Sequence, residues 1–364
     1  MDNVVNYPPP SHGGNLHEEA QRIGVGIEQL LDASASLVPF GPPKALHKHL
    51  VKAITSHSLK SYPDRSHLGL REAIGNWHNI DPMMVLPGNG ASELFTWAAR
   101  DAAMKGLSAL PTPGFLDYER ALRCWNGSFT HLPLPLSWSA QALQSFPLKP
   151  KANVLWITNP HNPTGQLWSR ASIEPLLNNH ELVICDEAFL PLVPNGENQS
   201  ILSLVVNHPN LIVIRSLTKL FGIAGLRLGY AIGSPERLKN WQDWRDPWPL
   251  NGLAISAGIK LMNEQSTLEN WLDKVQAWVG KENPWLYREL QEIPNISPKS
   301  SSVNFLLIES HSSLLIVRKE LAKRKILVRD CRSFRELGEK YLRISLQTRR
   351  GNHRIVKALR DILS

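Results

Sequence analysis

Short apolar runs recur along the chain at 107–110, 129–132, 154–157, 182–185, 211–214 and 228–232, separated by turn residues. Runs of that length, rich in Val and Ile and lacking polar alternation, predict strands buried on both faces. Stretches with helical spacing stand between them, which predicts an α/β fold: a mainly parallel sheet with helices on both faces. Ligands of such sheets sit at the carboxyl ends of the strands. The residues that follow each run are therefore the candidates for chemistry. Ahead of the runs, the pattern predicts helices over 45–55 and 68–77 and a strand over 83–86. Beyond them, a long helical stretch starts at 253 and passes Trp271 and Trp278. A strand over 304–308, a helix over 314–324 and short strands over 326–329 and 341–345 complete a second, smaller α/β domain. The segment 241–254, WQDWRDPWPLNGLA, combines large aromatics with prolines and reads as the boundary. The expected division is an N-terminal arm joining the small domain over 1–40, a large domain over 41–250 and the small domain over 251–364.

The strand ends carry a coherent set of side chains. Residues 216–230, SLTKLFGIAGLRLGY, follow directly on the run at 211–214, so Lys219 lies just past a strand end. A lysine in an apolar pocket has a lowered pKa, and a neutral amine forms a Schiff base with an aldehyde. Ser216 offers a hydroxyl and Arg227 a guanidinium fork, so the three together suit a phosphorylated aldehyde. Residues 153–165, NVLWITNPHNPTG, hold Asn162 in a rigid turn after another strand. In 182–189, LVICDEAF, Asp186 ends an apolar run, where an acid can keep a pyridine nitrogen protonated. The turn 87–96, PGNGASELFT, leaves the N–H groups of Gly90, Ala91 and Ser92 at a helix start, a place that favours a phosphate. Phe115 in PTPGFLDY is the candidate to stack on a cofactor ring, with Tyr118 as the other choice.

Composition narrows the class. With 364 residues, 42% of them hydrophobic, the chain can bury a large core and a smaller one. The formal charge of +8 is spread along the sequence instead of gathered in runs, which favours small anionic partners over nucleic acid. Three cysteines without metal-ligand spacing give no metal site and suit a reduced, cytoplasmic setting. Neither a leader pattern nor some 18 consecutive apolar residues occurs, so no membrane partner is expected. At 12–16, HGGNL, paired glycines allow the backbone to approach a neighbour closely.

In the order Asn162, Asp186, Lys219 these motifs resemble the fold-type I pyridoxal-phosphate enzymes, the superfamily of class I and II aminotransferases, over about residues 12–346. HGGN near the start, DEAF at 186–189 and SLTKLFGIAGLRLGY are similar to the L-threonine-O-3-phosphate decarboxylases of cobalamin biosynthesis, which themselves resemble histidinol-phosphate aminotransferases. The resemblance implies pyridoxal 5'-phosphate as cofactor and a homodimer in which Tyr62, in a YPD motif, reaches the cofactor phosphate of the other subunit. It implies that Arg343, in YLRISLQT, holds the substrate α-carboxylate, that Arg329 and Arg332 flank the same cleft for a second anion, and that Asn15 and Ser36 lie on the substrate side. Phe189 stands where many relatives have a tyrosine that donates to the cofactor's phenolic oxygen. One stretch departs from the pattern: SASLVPFG places Ser36 and Val38 where the branch has asparagines. The implied reaction is decarboxylation of L-threonine O-3-phosphate to (R)-1-aminopropan-2-yl phosphate. The alternative is amino transfer from a phosphorylated amine or amino acid, since the same residues serve both outcomes.

Overall fold

The computed structural model describes residues 13–55, 60–138 and 143–364; His12 of the HGGN motif lies outside them. In chain order the helices are α1 (Leu16–Ile23), α2 (Lys44–Thr55), α3 (Leu68–His78), α4 (Ala91–Lys105), α5 (Asp117–Cys124), α6 (Arg170–Ile173), α7 (Leu217–Phe221), α8 (Pro235–Trp244), α9 (Gly252–Asn263), α10 (Gln265–Gln291), α11 (Leu315–Lys323) and α12 (Arg349–Leu363). The strands are β1 (Leu31–Ala33), β2 (Val85–Asn89), β3 (Ser108–Thr112), β4 (Phe129–Pro133), β5 (Val154–Thr158), β6 (Leu182–Asp186), β7 (Leu211–Ser216), β8 (Leu228–Ile232), β9 (Ser297–Pro298), β10 (Phe305–Glu309), β11 (Ile326–Asp330) and β12 (Tyr341–Ser345).

Seven strands form the large sheet in the order β2-β8-β7-β6-β5-β3-β4. All neighbours pair in parallel except β8, which runs antiparallel to both β2 and β7. Every residue of β5, β6 and β7 is buried, as their unbroken apolar runs require of strands covered on both faces. Two apolar clusters sandwich this sheet. One contains Val183, Cys185 and Val213 with residues of α2, α3, α9 and the first half of α10. The other contains Ile184, Ile212 and Ile214 with residues of α4, α5 and α8. Odd and even positions thus serve opposite cores, and each buried Val or Ile contributes about 1.5–3 kcal/mol.

A second sheet of five strands has the order β1-β11-β12-β10-β9 and its own apolar cluster with α11 and α12. The arm enters it directly, because Leu31, Asp32 and Ala33 pair in parallel with Ile326, Leu327 and Val328.

Three expectations are corrected here. Residues 83–84 form part of a 3-10 turn over Pro82–Met84, fixed by the Asp81 carboxylate accepting from the Met83 N–H at 2.8 Å, and the strand starts at Val85. The long helical stretch is two helices, broken at Glu264, whose φ and ψ of −94° and 74° are not helical. The large core runs past residue 250 through Ala254, Leu261, Trp271 and Val279, so one core gives way to the other within α10. The tryptophans before it are tied to the large domain: Trp241 donates to Asp101 at 3.1 Å, Trp244 packs under the Arg100 guanidinium and Trp248 stacks on Tyr62.

Candidate active site

The site forms where β5, β6 and β7 end. Asp186 is the last residue of β6 and Ser216 the last of β7, and Asp186 lies in register between Thr158 of β5 and Ile214 of β7. The chain turns from Ser216 into α7, which carries Lys219, and Arg227 follows just before β8. Asp186 is buried. Its Oδ2 accepts from the Tyr118 hydroxyl at 2.6 Å and its Oδ1 from the Ala188 N–H at 2.9 Å. Because Tyr118 gives its proton to Asp186, Thr158 must donate to the Tyr118 oxygen, 2.8 Å away. Burial pushes the Asp186 carboxyl up to about 6, against the opposing pull of Tyr118, the Ala188 N–H and Lys219. Lys219 moves the other way: burial and then the neighbouring Arg227 lower it to about 8, with Asp186 opposing and Arg343 adding to the fall.

Around Lys219 lies an anion cup. The Ser216 and Thr218 hydroxyls are 2.7 Å apart, and Lys219 Nζ donates to Thr218 Oγ1 at 3.3 Å. Across from them α4 begins at Ala91 after Gly90, whose φ is +73°. A Cβ on Gly90 would sit 2.5 Å from Arg227 Nη2, so the missing side chain is what admits the guanidinium beside the helix start. The turn is tightened from behind by Glu93, which accepts from the Asn89 N–H at 2.6 Å. Phe115 is half-buried, with its ring edge-on to Tyr118 at 5.6 Å between centroids, and Phe189 lies with its ring centre 6.0 Å from Lys219 Nζ.

Two buried arginines face each other in register across β11 and β12, Arg329 beside Arg343. Arg343 donates to Asn162 Oδ1 and, at 3.4 Å, to the Ser34 carbonyl, and lies over the Phe305 ring at 4.7 Å. Its Nε is buried without a partner, and among the described residues it has no carboxylate within ion-pair distance. Burial and then Arg329 lower it to about 10. Arg329 donates to Ser333 Oγ at 2.5 Å and lies 5.2 Å from the Phe334 ring centre. The arm packs against this pair: a Cβ on Gly13 would lie 2.3 Å from the Ser34 carbonyl oxygen and 3.4 Å from Arg329 Cδ, and the Gly14 N–H donates to Ser34 Oγ at 2.9 Å.

Four expected site residues, and Val38 with them, are placed differently from the rest. Arg332 is turned onto Asp330, two residues back, through its backbone N–H, Nε and Nη2, so the acid that ends β11 already holds it. Asn15 is exposed and its amide donates to Glu18, within the first turn of the arm helix. The Ser36 hydroxyl is buried against that of Ser345 at 2.8 Å. Val38 is buried, with its N–H directed to the Lys219 carbonyl at 3.4 Å. Tyr62 is 78% exposed and stacks on Trp248 with centroids 4.4 Å apart. Sequence reasoning missed Thr218, Thr158, Ser34 and the hydroxyl role of Tyr118. The serine and threonine adjoining named residues were a usable signal; the Tyr118 to Asp186 contact, spanning 68 positions, was not.

A mainly parallel sheet that gathers a lysine, an acid and a helix start at its strand ends defines a doubly wound α/β fold, whose ligand crevice lies at that edge. The model of the class I and II aminotransferases matches residues 24–359, and the chain belongs to that family, whose cofactor is pyridoxal 5'-phosphate. It is 28% identical to the threonine-phosphate decarboxylase of Salmonella typhimurium over 97% of each chain. It is equally 28% identical to histidinol-phosphate aminotransferase 1 of Mannheimia succiniciproducens, over 98% of this chain and 95% of the other. Among solved structures, L-threonine-O-3-phosphate decarboxylase from Porphyromonas gingivalis superposes with a TM-score of 0.78 at 24% identity, over 90% of this chain and 98% of that one. The residues present fit the cofactor. Lys219, Arg227 and Arg343 bring three cations toward one cleft, and a phosphate and a carboxylate are the anions that would balance them. No described helix is long and apolar enough to cross a membrane.

Proposed function

We propose that the protein decarboxylates L-threonine O-3-phosphate, and the observation that carries this reading is the side-by-side placement of Arg343 and Arg329. A substrate with an α-carboxylate and a phosphate on its β-oxygen brings two anions to two adjacent guanidinium groups. Pyridoxal phosphate, when bound, supplies an electron sink into which the pair released at Cα can pass. Arg343 holds the carboxylate, and the orientation it imposes decides which bond at Cα stands perpendicular to the ring. Breaking the Cα–carboxylate bond releases carbon dioxide, and Lys219 in its protonated form returns a proton to Cα. Asp186, ionised, would pair with the pyridine nitrogen and keep it protonated. Gly90, Ala91, Ser92, Ser216, Thr218 and Arg227 would hold the cofactor phosphate, and Phe115 and Asn162 would contact its ring. Tyr62, exposed and already stacked, completes the cup of a second copy in a homodimer.

Amino transfer on a histidinol-phosphate-like amine is the second reading, favoured by the equal identity to an enzyme named for it. In that reaction neutral Lys219 would take the Cα proton, and a 2-oxoacid would be required to accept the amino group. Incubation of the cofactor-loaded protein with L-threonine O-phosphate, with and without 2-oxoglutarate, separates the two. Carbon dioxide and aminopropanol phosphate without the oxoacid are expected. Product that appears only with the oxoacid and a phosphorylated amine would overturn the decarboxylase reading.

A further inference from the structure

Directly behind the site lies a second group of charges that the reaction does not use. Strand alternation puts Ser216 and Arg215 on opposite faces of β7, and the residue after Asp186 is Glu187. Arg215 donates to Glu187 Oε2 from Nε at 3.0 Å and from Nη2 at 2.6 Å. It also donates to both oxygens of Glu197, at 2.6 and 2.9 Å, and to Ser200 Oγ at 2.9 Å. Glu187 accepts further bonds from the Ser200 hydroxyl at 2.8 Å and the Ile201 N–H at 2.9 Å, while its own N–H extends the ladder to the Ile214 carbonyl at 2.9 Å. Arg215 and Glu187 are both almost fully buried.

Stability alone does not call for such a group, because apolar side chains of similar volume commonly serve a core as well as or better than a buried ion pair. What an apolar pair cannot supply is a directional tie. This one joins the ends of two adjacent strands one residue from where each presents its functional side chain. We infer that Arg215 and Glu187 are positioning residues that fix the Asp186 carboxylate relative to the Ser216 hydroxyl, and so set the seat of the cofactor's ring nitrogen against that of its phosphate. The inference rests on pyridoxal phosphate being the bound group and is indifferent to which reaction follows.

The test is the double variant Glu187→Leu/Arg215→Met, which removes both buried charges together and leaves Glu197, half-exposed, to water. Three readings are taken: the thermal unfolding midpoint of the apoprotein, the dissociation constant for pyridoxal phosphate from absorbance titration, and the visible circular dichroism of the bound cofactor. Expected are an unfolding midpoint near that of the parent, a dissociation constant raised about tenfold or more, and a weakened or inverted dichroic band. A folded double variant with the parent's dissociation constant and dichroism would overturn the inference. Should it fail to fold, Arg215→Lys decides by the same titration: the charge is kept and the fork lost, so the dissociation constant must rise and the band must change, and the parent's values for both would overturn the inference. Cofactor uptake by the parent protein is the control, and its failure would count against the cofactor assignment instead.

Discussion

Two groups of buried charge lie on either side of the same strand ends, and they are built to opposite rules. Behind the strands, Arg215 meets Glu187, Glu197 and Ser200, and every charged atom of the Arg215–Glu187 pair finds a partner. In front, Arg343 has an amide, a carbonyl and an aromatic face, but no acid among the described residues, and its Nε is orphaned. Lys219 and Arg227 add to the excess, and Arg227 adds to the burial that lowers the Lys219 ammonium. Breaking one member of a complete group strands a charge, whereas removing one member of an incomplete group relieves it. In the proposed function the incomplete group is where the ligand anions would enter.

Asp186 sharpens the contrast most. Its replacement by Asn leaves the geometry but removes the charge that would keep the pyridine nitrogen protonated, and turnover should fall about 100- to 1000-fold. The apoprotein should gain stability at the same time. A carboxyl buried to a pKa of about 6 takes up a proton on folding between roughly pH 4 and 6, so parent stability falls as pH rises across that window and stays level above it. Loss of that slope in Asp186→Asn, worth about 3 kcal/mol, is checked by denaturant unfolding at pH 4 and pH 7. A smaller effect comes from Lys219, whose neutral form captures the aldehyde. Cofactor uptake by the apoprotein should quicken about tenfold per pH unit up to about 8 and then level off, as stopped-flow absorbance would show. The smallest is Phe189→Tyr. A hydroxyl added near Lys219 can donate to the cofactor's phenolic oxygen, and the visible titration of the bound cofactor should move to lower pH by less than about one unit. An unmoved titration would leave Phe189 a packing residue against Phe305, 5.3 Å away between centroids.

The front of the site was more legible than the back. Asp186, Ser216 and Lys219 stand where unbroken apolar runs stop, and Gly90 to Ser92 open a helix after a glycine turn; local pattern alone marks such places. Arg215 sits one position before Ser216 and Glu187 one position after Asp186, yet nothing local says whether a charge beside a strand end is solvated or buried. Their pairing joins residues 28 apart in sequence and depends on sheet register. Arg332 shows the reverse failure: family likeness pointed it at the cleft, while the acid two residues before it holds it in a fork. The domain boundary was misplaced because aromatic-rich segments read as hinges, whereas Trp241 and Trp244 are anchored by Asp101 and Arg100 of α4.

One pair of substitutions goes to the centre of this picture: Arg343→Met and Arg215→Met, compared by denaturant unfolding of the two apoproteins. Arg215→Met should cost about 3–5 kcal/mol, because Glu187 is left buried without its cation, whereas Arg343→Met should be neutral or stabilising. Equal losses at the two positions would contradict the account, since Arg343 would then be as fully compensated as Arg215 and the cleft would have no unbalanced charge for a ligand to meet.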